Sequence, residues 1–332
     1  MGRSISFTIL FFVMLSVLVS CHQSHKRELD LAYTLAESKP DSALAFLNRI
    51  NQGKLSDKDM AKYALIYYMA QDKSGLDVDN DSLIRIAYDW YEGHQEDSLY
   101  ASSLYYMGKY FLLNDSMEQA KICLEKSYSI SDSLHNMNLK CLALDKLIEV
   151  EEQLAPYKAL NYAKALVKMY DSMANVTIYN KVAARLRLGE NFFYVDSLQH
   201  ALEEERKAYR MAMKAGDSYL LSYVRQDLAS TFKEMGEKDS CLYYARLAYN
   251  LNAANRFSCL LTFASAYISV DSLNQAFSLL KQAMPKTAED RYSVFYFQSQ
   301  AAMKAHDFKS AKSFSDSAYH YFGGYVSNCI TR

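Results

Sequence analysis

Residues 228–248 read LASTFKEMGEKDSCLYYARLA. The stretch opens with an apolar residue next to a small one, Phe232 follows three residues after the small one, and small residues return at Cys241, Ala245 and Ala248. The same spacing occurs in four other places along the chain. Self-similarity of this kind is typical of repeat architectures, and it therefore decides the fold.

The other copies keep the spacing without gaps, and the last of them is degenerate, with a polar residue in place of the apolar one and Ala302 in place of the aromatic one. Each starts with an apolar or polar residue beside a small one and ends in the second helix of the repeat. Consecutive starts of the last four copies are 40, 35 and 35 residues apart. The members are Met107, Gly108, Phe111, Ala120, Leu124 and Ser127; Leu188, Gly189, Phe192, Ala201, Glu205 and Ala208; Phe263, Ala264, Tyr267, Ala276, Leu280 and Ala283; and Gln298, Ser299, Ala302, Ala311, Ser315 and Ala318.

This pattern resembles the tetratricopeptide repeat, whose two antiparallel helices touch through the small residues. Gly108 and Ala120 leave room for the neighbouring backbone, while Phe111 fills the gap between helices. With weaker copies before residue 100 and around 139–171, about seven helical pairs result. We therefore expect an all-α, right-handed α-solenoid over residues 28–322.

The dipeptide Asp-Ser occurs eleven times, mostly between predicted helices. An aspartate at that place accepts hydrogen bonds from the free amides of a first helical turn. Because the dipeptides follow the repeat and do not gather in one pocket, we interpret them as helix caps, not as pairs of an acid and a nucleophile.

Composition favours long helices and argues against nucleic acid as a partner. The 332 residues include only 10 Gly and 3 Pro, so few residues interrupt helices. The 37 Lys and Arg balance 38 Asp and Glu, and no basic stripe is present. Tyrosine, with 28 copies, suits helices that pack a ring and leave its hydroxyl in water.

The N-terminus has the features of a secretory signal. Arg3 precedes an apolar run that is too short to cross a membrane, which predicts a signal peptide over 1–20. Residues 18–21, LVSC, resemble the bacterial lipobox, and this resemblance implies acylation of Cys21. An ordinary signal with an incidental cysteine is the alternative. Residues 21–27 would form a short tether.

The residues after Cys21 are basic. In Bacteroidetes lipoproteins an acidic stretch at that place favours export to the surface. Its absence favours a bacterial cell-envelope protein that faces the periplasm, and the remaining chain has no second apolar stretch of spanning length.

Pro40 to Leu44, the Asp-Ser dipeptides and the tyrosine-rich first helices resemble a group of Bacteroidetes tetratricopeptide proteins. In some of these the array is an envelope sensor that a membrane helix joins to a signalling output. This chain departs from that pattern, since it has a lipobox and shows neither a later membrane helix nor an output domain.

Motifs for chemistry are lacking. The seven histidines are scattered, and none has the spacing of a zinc site. No glycine-rich phosphate loop, nucleophile elbow or Cys-His protease pattern occurs. We therefore expect no catalytic residue, no metal and no cofactor, and a protein that is not an enzyme.

Two cysteine pairs lie symmetrically about predicted turns. Cys123 and Cys141 flank Asp132, and Cys241 and Cys259 flank Asn250. Either pair could form a disulfide in an oxidising envelope. The alternative, that each is a small packed thiol, is favoured because Cys241 occupies a position where other copies carry alanine.

In arrays of this kind the first helices line a concave groove. Tyrosine rings with amide and charged tips suit a peptide groove, although exposed polar residues also merely solvate helices. The residues that flank the packing positions, and hence the groove candidates, are Tyr105, Lys109, Glu190, Tyr194, Tyr223, Gln226, Tyr296 and Gln300.

We therefore predict a membrane-anchored scaffold or sensor module that binds a peptide or partner protein without chemistry. The alternatives are a SusD-like carbohydrate-capturing lipoprotein and an envelope assembly factor that resembles BamD. A single tryptophan and the lack of a long insertion argue against the sugar site.

The C-terminus predicts a covered end. Gly323-Gly324 should stop the last helix and leave a tail over 323–332. Solenoids normally end in a polar capping helix, whereas aromatic residues precede this tail. We expect a partner or a second copy to cover Phe314, Tyr319, Tyr321 and Phe322.

Overall fold

The computed structural model describes residues 25–76, 81–94, 97–251 and 254–330, and side-chain burial up to residue 321. These ranges contain sixteen α-helices, one 3-10 helix and no strand, so the all-α prediction is confirmed. They make eight consecutive pairs, one more than the approximate number expected, because the weak N-terminal copies supply two complete pairs. The chain forms two compact units, 1–150 and 151–332.

In the first unit each helix packs on the next along the chain from α2 to α6, and α3 also contacts α5. Ser56 caps α3 by accepting a hydrogen bond from the Asp59 amide. The helices are α1 (25–38), α2 (Pro40–Leu47), α3 (Asp57–Lys73), α4 (Ser82–Gly93), α5 (Asp97–Leu113), α6 (Met117–Ser133) and α7 (Met137–Leu154), whose last turn belongs to the second unit, and the 3-10 helix is Gln52–Lys54.

The second unit repeats the arrangement. Each helix from α8 onward packs on its successor, and the first helices of successive pairs also meet, α9 with α11, α11 with α13 and α13 with α15. The helices are α8 (Pro156–Ser172), α9 (Ile178–Tyr194), α10 (Leu198–Ala215), α11 (Ser218–Glu234), α12 (Lys238–Tyr249), α13 (Arg256–Ser269), α14 (Leu273–Lys281), α15 (Ala288–Lys304) and α16 (Phe308–Ile330).

Glycine at the small-residue position permits the close approach that the spacing predicts. A Cβ built on Gly108 would lie 2.7 Å from Leu124 Cγ and 3.4 Å from the Ala120 carbonyl oxygen. At Gly189 the corresponding atoms are Glu205 Cγ, at 3.2 Å, and the Ala201 carbonyl oxygen, at 3.4 Å. Both glycines are therefore packing contacts within helix pairs.

Three of the eleven Asp-Ser dipeptides mark a left-handed turn and not a helix cap, contrary to the expectation. Asp115, Asp196 and Asp271 have φ of 53°, 58° and 61°. Each follows the small residue of its copy by seven positions, and the next amide donates to the carbonyl of the aromatic position, as Ser116 does to Phe111 at 2.9 Å. Aspartate tolerates this conformation because its short side chain is compatible with a left-handed turn.

Asp217 is the one Asp-Ser aspartate that caps a helix with its side chain among those with a described cap. It accepts hydrogen bonds from the amides of Tyr219, at 2.9 Å, and Leu220, at 3.1 Å. Gly216 has taken the left-handed position immediately before it. The aspartate is therefore free to cap α11.

The last helix does not stop at Gly323-Gly324, as the sequence predicted, but continues to Ile330. A glycine within a helix costs about 1 kcal/mol relative to alanine, which weakens a helix without ending it. Two of the aromatic residues expected at an open end are packed, since Tyr321 stacks on Phe295 at 5.7 Å and Phe314 lies 6.5 Å from the same ring. Tyr319 is 76% exposed.

Several predicted features lie outside the described residues. The signal peptide over 1–20 and Cys21 are among them, whereas residues 25–27 of the predicted tether already belong to α1. Within the described residues, no helix is both long and apolar enough to span a membrane.

Neither of the two possible disulfides is formed. Cys123, Cys241 and Cys259 are buried free thiols, and Cys141 is fully buried. Cys259 Sγ lies 3.8 Å from Asn255 Oδ1, and Cys241 Sγ lies 4.0 Å from Ser269 Oγ. Each sulfur therefore packs within its own surroundings, and matched height on antiparallel helices does not produce a bond.

Candidate functional site

The first helices of the second unit form a continuous surface. Because α9, α11, α13 and α15 pack side by side and keep the repeat register, equivalent residues on them share one face. We call this surface the first-helix face. It carries six of the eight residues predicted to line a groove.

Polar contacts join α11 to α13 along this face. Gln226 Oε1 accepts hydrogen bonds from Ser258, at 2.5 Å, and Thr262, at 3.3 Å, and Ser222 donates to Asn255 at 2.7 Å. Gln226 is only 6% exposed. The prediction that Gln226 presents its amide to a ligand is therefore wrong, because the neighbouring first helix already uses it.

Exposure at one repeat position depends on what covers it. Tyr105, Gln226 and Tyr296 each lie three residues before the small residue of their copy, yet their exposures are 5%, 6% and 43%. Tyr105 packs on Tyr106, with ring centroids 5.0 Å apart, and so does not line an open surface as predicted. Tyr296 is accessible because no further first helix packs on α15 within the described residues.

Lys109 forms an ion pair with Asp72, which lies on α3. Its ammonium also lies 5.9 Å from the Tyr105 ring centroid. This lysine therefore joins two first helices within the first unit. The structure does not bring Tyr105 and Lys109 together as an open binding surface.

A cavity of about 690 Å³ opens on the first-helix face of α11, α13 and α15. It contains two of the predicted residues, Tyr296 and Gln300. Apolar groups and charged tips alternate around it, which is the composition expected of a ligand site. The lining residues are Lys233, Ser265, Ile268, Ser269, Asp271, Tyr296, Phe297, Gln300, Met303, Lys304 and His306.

Lys304 fixes one wall of the cavity. Its ammonium donates to the carbonyl oxygens of Ile268, at 2.7 Å, and Ser269, at 3.2 Å, and lies 2.8 Å from Asp271. The hydrogen bond from Lys304, together with its charge, lowers the pKa of Asp271. The ammonium of Lys304 therefore holds the end of α13 against α15, and its hydrogen bonds are made within the protein.

Lys233 supplies charge on the opposite wall. Its ammonium is 3.3 Å from Ser265 Oγ and 3.6 Å from Glu234, and its side chain is 41% exposed. Exposed ion pairs of this length contribute little energy. Lys233 can therefore turn toward an anionic or carbonyl group in the cavity at small cost.

The remaining predicted residues form two smaller polar sites. Tyr194 donates to Glu190 at 3.1 Å, and burial together with that carboxylate raises the pKa of Tyr194 to about 12. Tyr223 and Tyr219 join their hydroxyls at 3.2 Å, and this hydrogen bond, with burial, raises the pKa of Tyr223 to about 12. Both tyrosines keep a substantial exposed surface, 55% at Tyr194 and 38% at Tyr223.

A buried carboxyl group on α10, Glu205, and a partly buried one on α11, Asp227, lie near Glu190. Glu205 is 2% exposed, and its Oε1 accepts a hydrogen bond from the Thr231 hydroxyl at 2.6 Å. Burial raises the pKa of Glu205 to about 7, although the Thr231 hydroxyl opposes this. Burial, with the carboxyls of Glu205 and Glu190, also raises the pKa of Asp227 well above its usual range.

Sequence reasoning missed these groups for different reasons. Glu205 was visible as the acidic member of a packing position that is apolar or small in the other copies, Leu124, Ala245, Leu280 and Ser315. The cavity residues Lys233 and Lys304 carried no such signal, because lysines are common on any exposed helix. Among the described residues, no three metal-ligating side chains gather at one place.

The chain resembles known proteins in structure and not in amino-acid sequence. No family model matches the chain, and no curated protein matches it. The apo form of RapI superposes with a TM-score of 0.68 at 13% identity, covering 90% of this chain and 86% of that one. NprR in complex with its cognate peptide NprX gives 0.63 at 14%, covering 92% and 98%.

A third solved structure is a signal transduction ATPase with a tetratricopeptide repeat sensor, from Pyrococcus horikoshii. Its TM-score is 0.64 at 11% identity, covering 92% of this chain and 47% of that one. At such identities the likeness establishes the fold alone. The chain therefore has a tetratricopeptide-like helical fold, as the spacing of its small residues predicts.

Proposed function

We propose that this protein is a non-catalytic scaffold or sensor module that binds a peptide or partner protein on the first-helix face of its second unit. The observation that carries the proposal is the 690 Å³ cavity, where Tyr296 and Gln300 lie beside Lys233 and Lys304. A tyrosine ring supplies contact area at small entropic cost, and the polar tips orient a bound chain.

The fold supports this use of the face. NprR, which shares the fold over 92% of this chain, was crystallised with its cognate peptide. A side-by-side row of first helices suits an extended chain, because its repeat positions can contact successive residues of the ligand.

Site-specific photo-cross-linking in native membranes tests the proposal. A benzophenone amino acid in place of Gln300 should give discrete adducts with a partner, and the same group in place of Tyr157 should not. Tyr157 is a suitable control because it is 72% exposed on α8, outside the cavity. Equal adduct patterns at the two sites would show that the cavity is not the binding surface.

The cellular location forms part of the same proposal. We place the protein in the bacterial cell envelope, with a lipid on Cys21 and the array facing the periplasm. Labelling with an alkyne fatty acid should depend on Cys21, so Cys21→Ala should abolish both the label and membrane retention. Digestion of the array by protease in intact cells would contradict the periplasmic orientation.

A partner or a second copy covers the C-terminal end in this proposal. Tyr319 is 76% exposed on α16. Light scattering should give a mass above that of one chain when the lipid-free protein is concentrated. A monomer at every concentration, together with no cross-link from Tyr319, would contradict this part.

A further inference from the structure

Three carboxyl-bearing residues meet where α9, α10 and α11 pack. Gly189, lacking a Cβ, lets Glu205 approach α9, and Glu190 is the next residue on that helix. Thr231, which donates to Glu205, lies one helical turn after Asp227 on α11. Residues four apart share a helix face, so Asp227 faces the same place as Glu205.

Glu205 has an oxygen without a partner. Its Oε2 is buried and makes no hydrogen bond, while the whole residue is 2% exposed. Neither Glu205 nor Asp227 forms an ion pair with a basic side chain in the described part of the chain. A buried carboxylate is costly unless a cation or hydrogen-bond donors compensate it.

The basic groups nearby are already engaged. Arg187, on α9, lies 3.4 Å from Glu190 and 3.7 Å from Glu152. From α13, which packs on α11, the side chains that face Gln226 next to Asp227 are the hydroxyls of Ser258 and Thr262. Arg187 therefore compensates Glu190 in part, whereas Glu205 and Asp227 have no matching positive group in the described part of the chain.

The site is open on one side. Glu190 lies on the first-helix face with 44% of its side chain exposed, and Asp227 is partly exposed below it. The acidic position is also specific to this copy, since the residues equivalent to Asp227 are Tyr106, Arg187, Thr262 and Phe297. From the surface inward, the carboxylates are therefore the exposed Glu190, the partly buried Asp227 and the fully buried Glu205.

We propose that this place is a subsite for a cationic side chain, the lysine or arginine of a bound peptide, held between Glu190 and Asp227 above Glu205. This inference rests on the proposed peptide binding. The lysine or guanidinium supplies the missing donors, and charge-assisted hydrogen bonds to carboxylates are the strong ones. A peptide that reaches from this subsite to the cavity would carry its basic residue at the α9 end.

Selection from a random twelve-residue peptide library on the full-length protein tests the subsite. The selected peptides should contain Lys or Arg at one fixed position. Replacing that residue by norleucine or citrulline in the best peptide should weaken binding about tenfold, the effect of one hydrogen bond to a charged group. Asp227→Asn and Glu190→Gln should each cause a similar loss.

Glu203→Gln is the matched control. Glu203 is exposed on α10, two residues before Glu205. Its replacement by glutamine removes the same charge without changing the subsite. Its affinity for the basic peptide should stay within about twofold, because surface charges contribute little. Thermal melts should show Asp227→Asn to be folded, since it removes an uncompensated carboxyl.

Proton release gives an independent reading. A bound cation favours ionised carboxylates, so binding at pH 7 should release protons, measured by calorimetry in buffers of different ionisation enthalpy. The Glu205→Gln variant should release fewer protons when it binds the same peptide.

Each failure has its own meaning. Peptides that bind without basic enrichment, with equal affinity for Asp227→Asn, would overturn the subsite and leave peptide binding intact. A library that yields no peptide would overturn the proposed function as well. Saturable binding of calcium or magnesium alone, lost in Asp227→Asn, would show that the subsite takes a metal ion and not a side chain.

Discussion

The α5/α6 and α9/α10 pairs have the same geometry and opposite chemistry at one position. In both, a Cβ added to the first-helix glycine would lie 3.4 Å from a backbone carbonyl oxygen of the second helix. The residue that packs on the glycine is Leu124 in one pair and Glu205 in the other. The comparison teaches that the repeat sets the place of a side chain, while its chemical identity remains available for function.

The largest expected effect comes from giving the first pair the chemistry of the second. Leu124→Glu should lower the free energy of unfolding by roughly 3 to 5 kcal/mol at pH 8, because it loses a buried apolar side chain and places an unpaired carboxylate there. Urea unfolding followed by circular dichroism measures this. Ile122→Glu, at a position 60% exposed on the same helix, should change little. Equal effects of the two changes would break the comparison.

Removing the buried charge from the second pair, by Glu205→Gln, should stabilise it in a pH-dependent way. The pKa of Glu205 rises from its ordinary 4.5 to about 7 on folding, so its stability contribution is complete below pH 4.5 and is lost as the pH rises through 7. Glu205→Gln keeps an acceptor for Thr231 and should gain about 3 kcal/mol at pH 8, but little at pH 4.

Melting temperatures of wild type and Glu205→Gln across pH 4 to 8 measure the difference, with Glu203→Gln as the control for charge. A constant difference between wild type and Glu205→Gln over that range would mean that Glu205 does not titrate on folding.

The glycine contacts should differ in tolerance. At Gly108, an added Cβ would meet Leu124 Cγ at 2.7 Å, and overpacking of about 1–3 kcal/mol exceeds the gain of about 1 kcal/mol in helix propensity. At Gly189 the contact is 3.2 Å to a glutamate methylene, and Gly189→Ala should be nearly neutral. Chemical denaturation of both variants tests this order. Gly93→Ala, with no atom within 4 Å of the new Cβ, serves as reference.

The smallest effect should appear where the two pairs are alike. Asp115 and Asp196 occupy the same left-handed turn position, with φ of 53° and 58°. Replacing either by glycine removes a steric cost of about 1–2 kcal/mol but adds flexibility to the unfolded chain, for a net gain of about 0.5 kcal/mol. Thermal unfolding should show equal shifts. Unequal shifts would mean that the turns differ in ways that the shared conformation does not capture.

Helix pairing was predictable from sequence, whereas the roles of individual residues were not. Gly108, Ala120 and Leu124 are close in sequence, and local spacing alone places them in contact. Asp115, Asp196 and Asp271 were misread as caps because a turn aspartate and a capping aspartate have the same neighbours. The left-handed φ of these three residues distinguishes them.

The candidate site was predictable in part. Repeat register correctly placed Tyr296 and Gln300 beside each other on an accessible face, and it placed Gln226 at the equivalent position of another copy. Register could not reveal that Ser258 and Thr262 of the next first helix would cover Gln226. Coverage depends on the neighbour in the stack and not on the repeat itself.

The sequence by itself determined the helix pairs, since hydrophobic periodicity and small residues act over a single helical turn or across one short loop. Only the tertiary structure decided which equivalent residues stay accessible and that Glu190, Glu205 and Asp227 converge. These outcomes involve three helices whose contacts span tens of residues. Burial and charge are properties of that assembly, so the same residue type is exposed in one copy and an internal contact in another.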